Sequence, residues 1–215
     1  MTHLTDIGTA SVPGSGQISP WMKVSYTLFV CVLVPVYWVQ YGPKNFLWFS
    51  DIALLTTVVA LWLESRLLAS MMTLAVALPD LAWNVGFFGR LMFGVDVTGL
   101  AGYMFDRQKP MFLRALSLFH VVLPVLLVWM VYRLGYQRRA WAVQTLLSLI
   151  VLPLTYWVSA PADNINWVYG PGSKPQERLP PLAYLALLMA FFPLVVYLAT
   201  HFLLLRMFGK KTPTR

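Results

Sequence analysis

Charged side chains are scarce in this chain of 215 residues: 11% are Asp, Glu, Lys or Arg, whereas 59% are hydrophobic. Soluble domains carry about 25% charged residues. A chain with less than half of that share cannot cover a globular surface with polar groups, so the composition excludes an ordinary soluble domain. The sequence is therefore predicted to be a membrane protein that has lipid as its main solvent.

Cysteine and the common catalytic motifs are also nearly absent. The single Cys31 lies in an apolar run, which excludes an internal disulfide framework and a metal site built from cysteines. One His with two Asp is too small a ligand set to predict a metal site, so no metal or other cofactor is expected. The chain has no G-x-S-x-G and no H-E-x-x-H segment, which excludes the common soluble hydrolase and zincin layouts.

Long apolar runs are abundant and predict an all-α fold, a polytopic bundle of six transmembrane helices. The predicted spans cover residues 21–40, 45–63, 67–85, 111–132, 140–158 and 181–205. Residues 21–208 are predicted to form one transmembrane domain, between a flexible tail at 1–20 and a basic tail at 209–215. The semi-apolar section 86–105 holds five Gly with Arg90 and Asp96, and is expected to be a re-entrant or interfacial segment.

The net charge of +8 comes from basic residues in the loops and at the C-terminus. Six spans place both termini on one side, which then carries nine of the sixteen Lys and Arg residues. The positive-inside rule therefore predicts a multi-pass protein of the bacterial inner (plasma) membrane with both termini in the cytoplasm. Membrane lipids are the expected partners, and no nucleic acid is expected.

Polar residues from four segments converge on the half of the bilayer opposite the termini, because successive spans alternate in direction. An acid within a span costs about 2.5–3.5 kcal/mol and usually faces the bundle interior or a cavity. The pattern therefore predicts a polar pocket that opens outward. Its predicted members are Ser50, Asp51, Asp80, Asn84, His120, Asp163, Asn164 and Asn166.

The stretch SLFHVVLP, residues 117–124, places His120 in an apolar run. A neutral imidazole oriented by Asp51 or Asp80 is the arrangement of a general base, and Ser50 would supply a nucleophilic hydroxyl. Pro124 frees the backbone carbonyl of His120, so a bend is expected there. Side-chain donors that could stabilise an oxyanion are predicted at Asn84, Asn164 and Asn166.

Each of these residues also has a structural interpretation. His120 with a neighbouring Asp or Asn would be a buried hydrogen-bonded pair that fixes packing. Asp51 would cap its helix or form an ion pair with Lys44. His201, near the other end of the sixth span, is expected to extend towards the headgroups there rather than to act in chemistry.

Two segments resemble signatures of a known family. YGPKNFLWFSDIALL, 41–55, and LFHVVLPVLLVWM, 118–130, resemble the androgen-induced family of multi-span fatty-acyl-ester hydrolases, which use an intramembrane Thr and His. NINWVYGPGSKP, 164–175, resembles the Asn-aromatic segment of a related six-span family whose vertebrate relatives are acyltransferases. The whole chain is similar to a family of uncharacterised bacterial six-span membrane proteins.

The resemblance implies a hydrolase or acyltransferase that acts on lipid-like acyl esters. His120 matches the catalytic His of the androgen-induced family and Asp51 matches the acid that follows its nucleophile. The position of the family's Thr is occupied by Trp48, which leaves three alternatives: the nucleophile is Ser50, it is a water molecule activated by His120, or the family's chemistry is lost. Residues predicted to bind the substrate are Trp48, Asp80, Asn84, Asp163, Asn164 and Asn166.

Two other functions stay open at the level of sequence. The first is a non-catalytic lipid- or quinone-binding subunit of a larger membrane complex. The second is a small-solute transporter, which is less favoured because the polar groups stop in the outer half and leave no path inward.

Overall fold

The computed structural model describes residues 18–95, 97–172 and 174–208. These residues form helices and turns with no strand, which confirms the predicted all-α class. Nearly all of the predicted tail at 1–20, the basic tail at 209–215 and the predicted polar residue Asp96 lie outside the described residues.

Eight α-helices make up the described chain, several of them joined end to end. Helices α7 and α8 are continuous through a π-helical segment, Phe192–Tyr197, and α4 meets α5 after a break of two residues. Short 3₁₀ turns cover Pro43–Leu47, Gly102–Phe105 and Ile165–Trp167. The helices are α1 (Pro20–Tyr41), α2 (Phe49–Leu63), α3 (Arg66–Phe93), α4 (Met111–Leu116), α5 (Phe119–Leu134), α6 (Ala140–Val158), α7 (Pro181–Phe191) and α8 (Leu198–Phe208).

In the part of the chain that the structure describes, five helical stretches are long and apolar enough to cross a membrane: Pro20–Tyr41, Arg66–Phe93, Met111–Leu134, Ala140–Val158 and Pro181–Phe208. The predicted second span is shorter than expected. Helix α2 has 15 residues, which corresponds to about 22 Å against a hydrocarbon core of about 30 Å. Its predicted first turn is instead a 3₁₀ turn, and Trp48 is extended before the α-helix begins.

The section 86–105 was predicted to be one re-entrant or interfacial segment, but it consists of two parts. Residues 86–93 are the last turns of α3, which runs through Gly86 and Gly89 and ends at Gly94, a residue in the left-handed conformation (φ 71°). The chain beyond it folds back on α3, where Ala101 and Met104 form a small core with Trp83. A Cβ at Gly86 would overlap Thr98 Oγ1, so glycine permits this close return.

Helix α3 lies at the centre and contacts α2, α5 and α6. Small buried residues such as Ala69, Ser70, Thr73 and Ala75 allow its neighbours to approach closely. The end of the bundle at which α1 ends and α2 begins is called the pocket end below. Since α3 ends and α5 begins at the pocket end, the central packing brings Asp80 of α3 next to His120 of α5.

The opposite end is closed by specific polar contacts. Lys23 Nζ donates to Glu64 Oε1 at 2.8 Å, and this bond lowers the pKa of the Glu64 carboxyl below its usual range. Tyr136 and His201 are joined at 2.6 Å between the hydroxyl and Nδ1. His201 therefore has a protein partner at the far end of the bundle from His120.

Candidate functional site

A cavity of about 600 Å³ opens at the pocket end. Its walls come from α1, α2, α3 and α5, from the loop that follows α3, from the loop between α6 and α7, and from Phe192. All but one of the predicted site residues line it: Trp48, Ser50, Asp51, Asp80, His120, Asp163, Asn164 and Asn166. Only Asn84 lies outside the cavity wall, and it supports the site from behind.

Asp80 and His120 form the best-defined pair in the cavity. His120 Nδ1 lies 2.9 Å from Asp80 Oδ1, and the carboxylate is almost completely buried. The imidazole stacks on Phe119 (centroids 4.1 Å apart) and on Trp83 (4.9 Å). Of the two acids that the sequence offered as partners for His120, Asp80 is the one in contact. An ionised Asp80 fixes the Nδ1–H tautomer and leaves Nε2 as the basic nitrogen.

Asn84 supports His120 through the backbone. Its Nδ2 donates to the carbonyl oxygen of His120 at 2.8 Å and to that of Asp80 at 2.7 Å. The first acceptor is the carbonyl that lacks a helical donor because Pro124 has no N–H. The helix break itself falls at residues 117 and 118, one turn before His120. Asn84 therefore replaces the hydrogen bond that the proline removed.

This compensation predicts a coupling between Asn84 and Pro124. Asn84→Ala is expected to destabilise the protein by about 1–3 kcal/mol, because the carbonyl of His120 loses its donor. In a Pro124→Ala background the new N–H at residue 124 can reach that carbonyl, so the cost of Asn84→Ala should fall by half or more. Thermal unfolding of the wild type, both single variants and the double variant measures the coupling. Additive losses would show that the two residues act independently.

Asp51 is the second buried acid of the cavity, and only 3% of its surface is exposed. Its Oδ2 accepts a hydrogen bond from Asn45 Nδ2 at 3.3 Å, so its partner is Asn45 and not Lys44. Within the described residues its Oδ1 has no hydrogen-bond partner, and neither has Oδ2 of Asp80. An unsatisfied buried carboxylate oxygen is costly, and such groups concentrate at functional sites.

Ser50 lines the cavity, but no hydrogen bond joins it to His120, the candidate general base, in the described part of the chain. It lies in the first turn of α2. Ser117 also lines the cavity, and its hydroxyl is 2.9 Å from the Tyr37 hydroxyl. No side-chain hydroxyl is therefore poised by hydrogen bonding to Nε2 within 18–95, 97–172 and 174–208.

The three predicted Asn donors are engaged with backbone groups. Both hydrogens of the Asn84 amide are used as described above. Asn164 Nδ2 donates to the carbonyls of Gly170 (2.8 Å) and Gly172 (2.9 Å). Asn166 Nδ2 donates to the carbonyl of Leu47 at 2.7 Å. These amides shape the walls of the cavity more than they offer donors to a ligand.

Asp163 lies at the exposed rim, where its Oδ2 accepts from the backbone N–H of Ala160 at 3.0 Å. Trp48 forms part of the wall and meets Trp167 edge to face, with ring centroids 6.0 Å apart. The rim is thus a turn closed by Asp163 and an aromatic contact, whereas the carboxyl groups of Asp51 and Asp80 are buried.

Trp83, Tyr103 and Lys109 line the cavity and were not predicted as site residues. The buried Nε1 of Trp83 has no hydrogen-bond partner among the described residues, although the Tyr103 hydroxyl is nearby. Burial raises the pKa of Tyr103 to about 12, so it stays a protonated donor. Trp83 shares a helical face with Asp80 in the sequence PDLAWN, which was the available signal. Tyr103 and Lys109 reach the site through a loop whose path has no local sequence signature.

No protein-family model, curated protein or solved structure matches this chain. Among the described residues, no group of three His, Cys, Asp or Glu side chains is arranged to hold a metal ion. The chemistry of the site is therefore argued from its own geometry.

Proposed function

We propose that this chain is a membrane hydrolase of lipid-like acyl esters, in which the Asp80–His120 pair is the general base. The observation that carries the proposal is the 2.9 Å contact between Asp80 Oδ1 and His120 Nδ1 at the wall of an open cavity. A buried carboxylate that orients an imidazole is the device by which many hydrolases keep one nitrogen basic. The apolar exterior of the helices puts this device within reach of lipid.

The reaction proceeds by proton transfer at Nε2 of His120. Nε2 takes a proton from a water molecule, and the resulting hydroxide attacks the carbonyl carbon of the ester. The carbon–oxygen bond to the alcohol breaks as the tetrahedral intermediate collapses, and the imidazolium returns its proton to the leaving alkoxide. One water is consumed, and a carboxylic acid and an alcohol are released. A lipid hydroxyl in place of water makes the same sequence an acyl transfer.

Trp83 Nε1 is the donor assigned to the developing oxyanion. It is a buried N–H without a formed hydrogen bond, on a ring stacked against His120. A donor that is already oriented and shielded from water needs little rearrangement when negative charge develops on the ester oxygen. This assignment replaces the Asn side chains, whose amides are bonded to backbone carbonyls.

In this proposal α2 completes six membrane segments, and the membrane is the bacterial inner membrane. Both termini then lie in the cytoplasm and the pocket end faces the opposite side. The excess of Lys and Arg on the side of the termini supports this orientation.

Hydrolysis of acyl esters by the purified protein tests the function. Methylumbelliferyl esters with acyl chains of increasing length are offered to the wild type, to His120→Gln and to His201→Gln. Turnover is expected in the wild type and should fall at least about 100-fold in His120→Gln, the loss typical of a missing general base. His201→Gln is the matched control at the opposite end and should keep the wild-type rate. Equal rates in all three proteins would refute the assignment.

A non-catalytic lipid- or quinone-binding role, as an accessory subunit of a larger membrane complex, is the second candidate. It is favoured by one observation: within the described residues, Ser50 makes no hydrogen bond with His120. The base then has no side-chain nucleophile beside it. A wild type that melts cooperatively but shows no turnover with any ester would support this function instead.

A further inference from the structure

The general base does not use Asp51, the other buried carboxylate of the cavity. Only 3% of the Asp51 surface is exposed, yet its Oδ1 has no hydrogen-bond partner in the described chain. Oδ2 of Asp80 is likewise buried and without a partner in the described chain, and Asp80 lines the same cavity as Asp51. A carboxylate removed from water in this way needs a cation or a hydrogen-bond donor to offset its burial.

We infer that the cavity binds an amphiphile with a primary ammonium head, which lies against the unpartnered oxygens of Asp51 and Asp80. This inference rests on the proposed function, and it names the substrate class as acyl esters whose alcohol carries a primary amine. The ammonium supplies N–H donors to the two oxygens, and the acyl ester reaches His120 in the same cavity.

The charge of the cavity wall favours a cation. Among the described residues, three carboxylates line it, from Asp51, Asp80 and Asp163, against one ammonium, that of Lys109. Lys109 Nζ lies over the rings of Tyr41 and Tyr103, 5.6 Å and 5.9 Å from their centroids, and forms no ion pair with a described carboxylate. With a neutral imidazole, the ionised wall carries a net negative charge.

Aromatic faces complete the site for a cation. The rings that line the cavity include Tyr37, Tyr41, Trp48, Trp83, Tyr103 and Trp167. Aromatic rings attract a cation through their negative faces, and Tyr41 and Tyr103 already contact the Lys109 ammonium in this way. Two carboxylates among aromatic walls match an organic cation better than an anion or a neutral head.

The unpartnered oxygens distinguish a primary from a quaternary ammonium. A quaternary ammonium has no N–H and would satisfy the rings while leaving both oxygens without a donor. A primary ammonium has three N–H donors and satisfies the carboxylates as well. The hydrogen bond from Asn45 Nδ2 occupies Oδ2 of Asp51, so Oδ1 is the oxygen that receives the ligand.

Calorimetric titration of the full-length protein in detergent, with protein-free micelles as the blank, tests the inference. The probes are hexylamine, hexyltrimethylammonium and hexanol, which share one chain and differ in the head. Hexylamine is expected to bind at least about tenfold more tightly than the other two, a difference that one charged hydrogen bond supplies. Equal affinities, or equal binding of the primary and quaternary heads, would overturn the assignment without any variant.

Asp51→Asn then locates the site. It removes the charge but keeps an oxygen for Asn45, and it should abolish the preference for hexylamine. Asp106→Asn is the matched control, since Asp106 is an Asp of the same end that does not line the cavity. An unchanged preference in Asp51→Asn would overturn the role of this residue.

The two proposals fail separately. His120→Gln should lose hydrolysis and keep the preference for hexylamine. Hydrolysis that depends on His120, without a preference for the amine, would overturn only the ammonium site. A preference for the amine in a wild type that hydrolyses no ester would overturn only the hydrolase.

Discussion

Asp80→Asn is expected to lower kcat for hydrolysis of a methylumbelliferyl ester by about 10²–10⁴-fold, with little change in KM because this substrate carries no ammonium. An ionised Asp80 accepts the proton of Nδ1 and so keeps Nε2 of His120 basic. The amide of Asn is a donor as well as an acceptor, and its NH₂ group stabilises the opposite tautomer, in which Nε2 carries the proton. Steady-state kinetics on the best ester of the panel measure the effect.

The loss should not add to that of His120→Gln, because Asp80 acts through the imidazole. A double variant with kcat equal to that of His120→Gln would support this dependence. Asp106→Asn, at a half-buried Asp that does not line the cavity, should leave kcat unchanged. A rise in KM with kcat unchanged would show that Asp80 holds this substrate and does not position the base.

The class of fold and the convergence of polar residues were predictable from sequence, since both follow from hydrophobic runs that alternate in direction. Asp80, His120 and Asp51 are rare polar groups in apolar helices, and such groups must face the interior. The backbone carbonyl of His120 also lies in an apolar helix and therefore needs a hydrogen-bond donor. Pro124 has no N–H and cannot supply it. What sequence left open was the identity of that donor, which is Asn84 of a helix distant in sequence.

The predicted start of α2 and the predicted end of α3 were wrong. Apolar content alone extended α2 to residue 45, whereas a 3₁₀ turn that starts at Pro43 delays the α-helix to Phe49. In the opposite sense, Gly86 and Gly89 suggested an irregular segment, but the helix runs through both of them to Phe93. Those glycines serve the close return of the following loop, a tertiary contact that periodicity does not encode.

The roles of individual polar side chains were the least predictable feature. Asn84, Asn164 and Asn166 are the residue types of an oxyanion site, yet each amide is bonded to backbone carbonyls. Trp83 was not predicted as a site residue, and its contact with His120 together with its N–H, which has no hydrogen-bond partner among the described residues, emerged only from the structure. Whether an amide is free or engaged depends on tertiary and loop geometry: Asn166 bonds a carbonyl 119 residues away, Asn84 one 36 residues away, and Asn164 two carbonyls that a turn brings back to it.

Asn166→Ala is expected to destabilise the protein by about 3 kcal/mol or more. Asn166 Oδ1 accepts from the N–H of Phe49 at 2.9 Å and its Nδ2 donates to the carbonyl of Leu47 at 2.7 Å. Each buried backbone group left without a partner costs about 1–3 kcal/mol. Asn166 also has a φ of 52°, a left-handed conformation that costs Ala about 1–2 kcal/mol. Thermal unfolding in detergent should show a Tm lower by about 6 °C or more.

Asn166→Gly separates the two contributions, because glycine adopts the left-handed conformation without strain but makes neither hydrogen bond. It should melt above Asn166→Ala and still well below the wild type. Since Leu47 and Phe49 directly precede Ser50 and Asp51, both variants should also weaken the preference for hexylamine. If Asn166→Gly melted like the wild type, the backbone conformation of the loop, and not its hydrogen bonds to the start of α2, would be what holds this wall of the cavity in place.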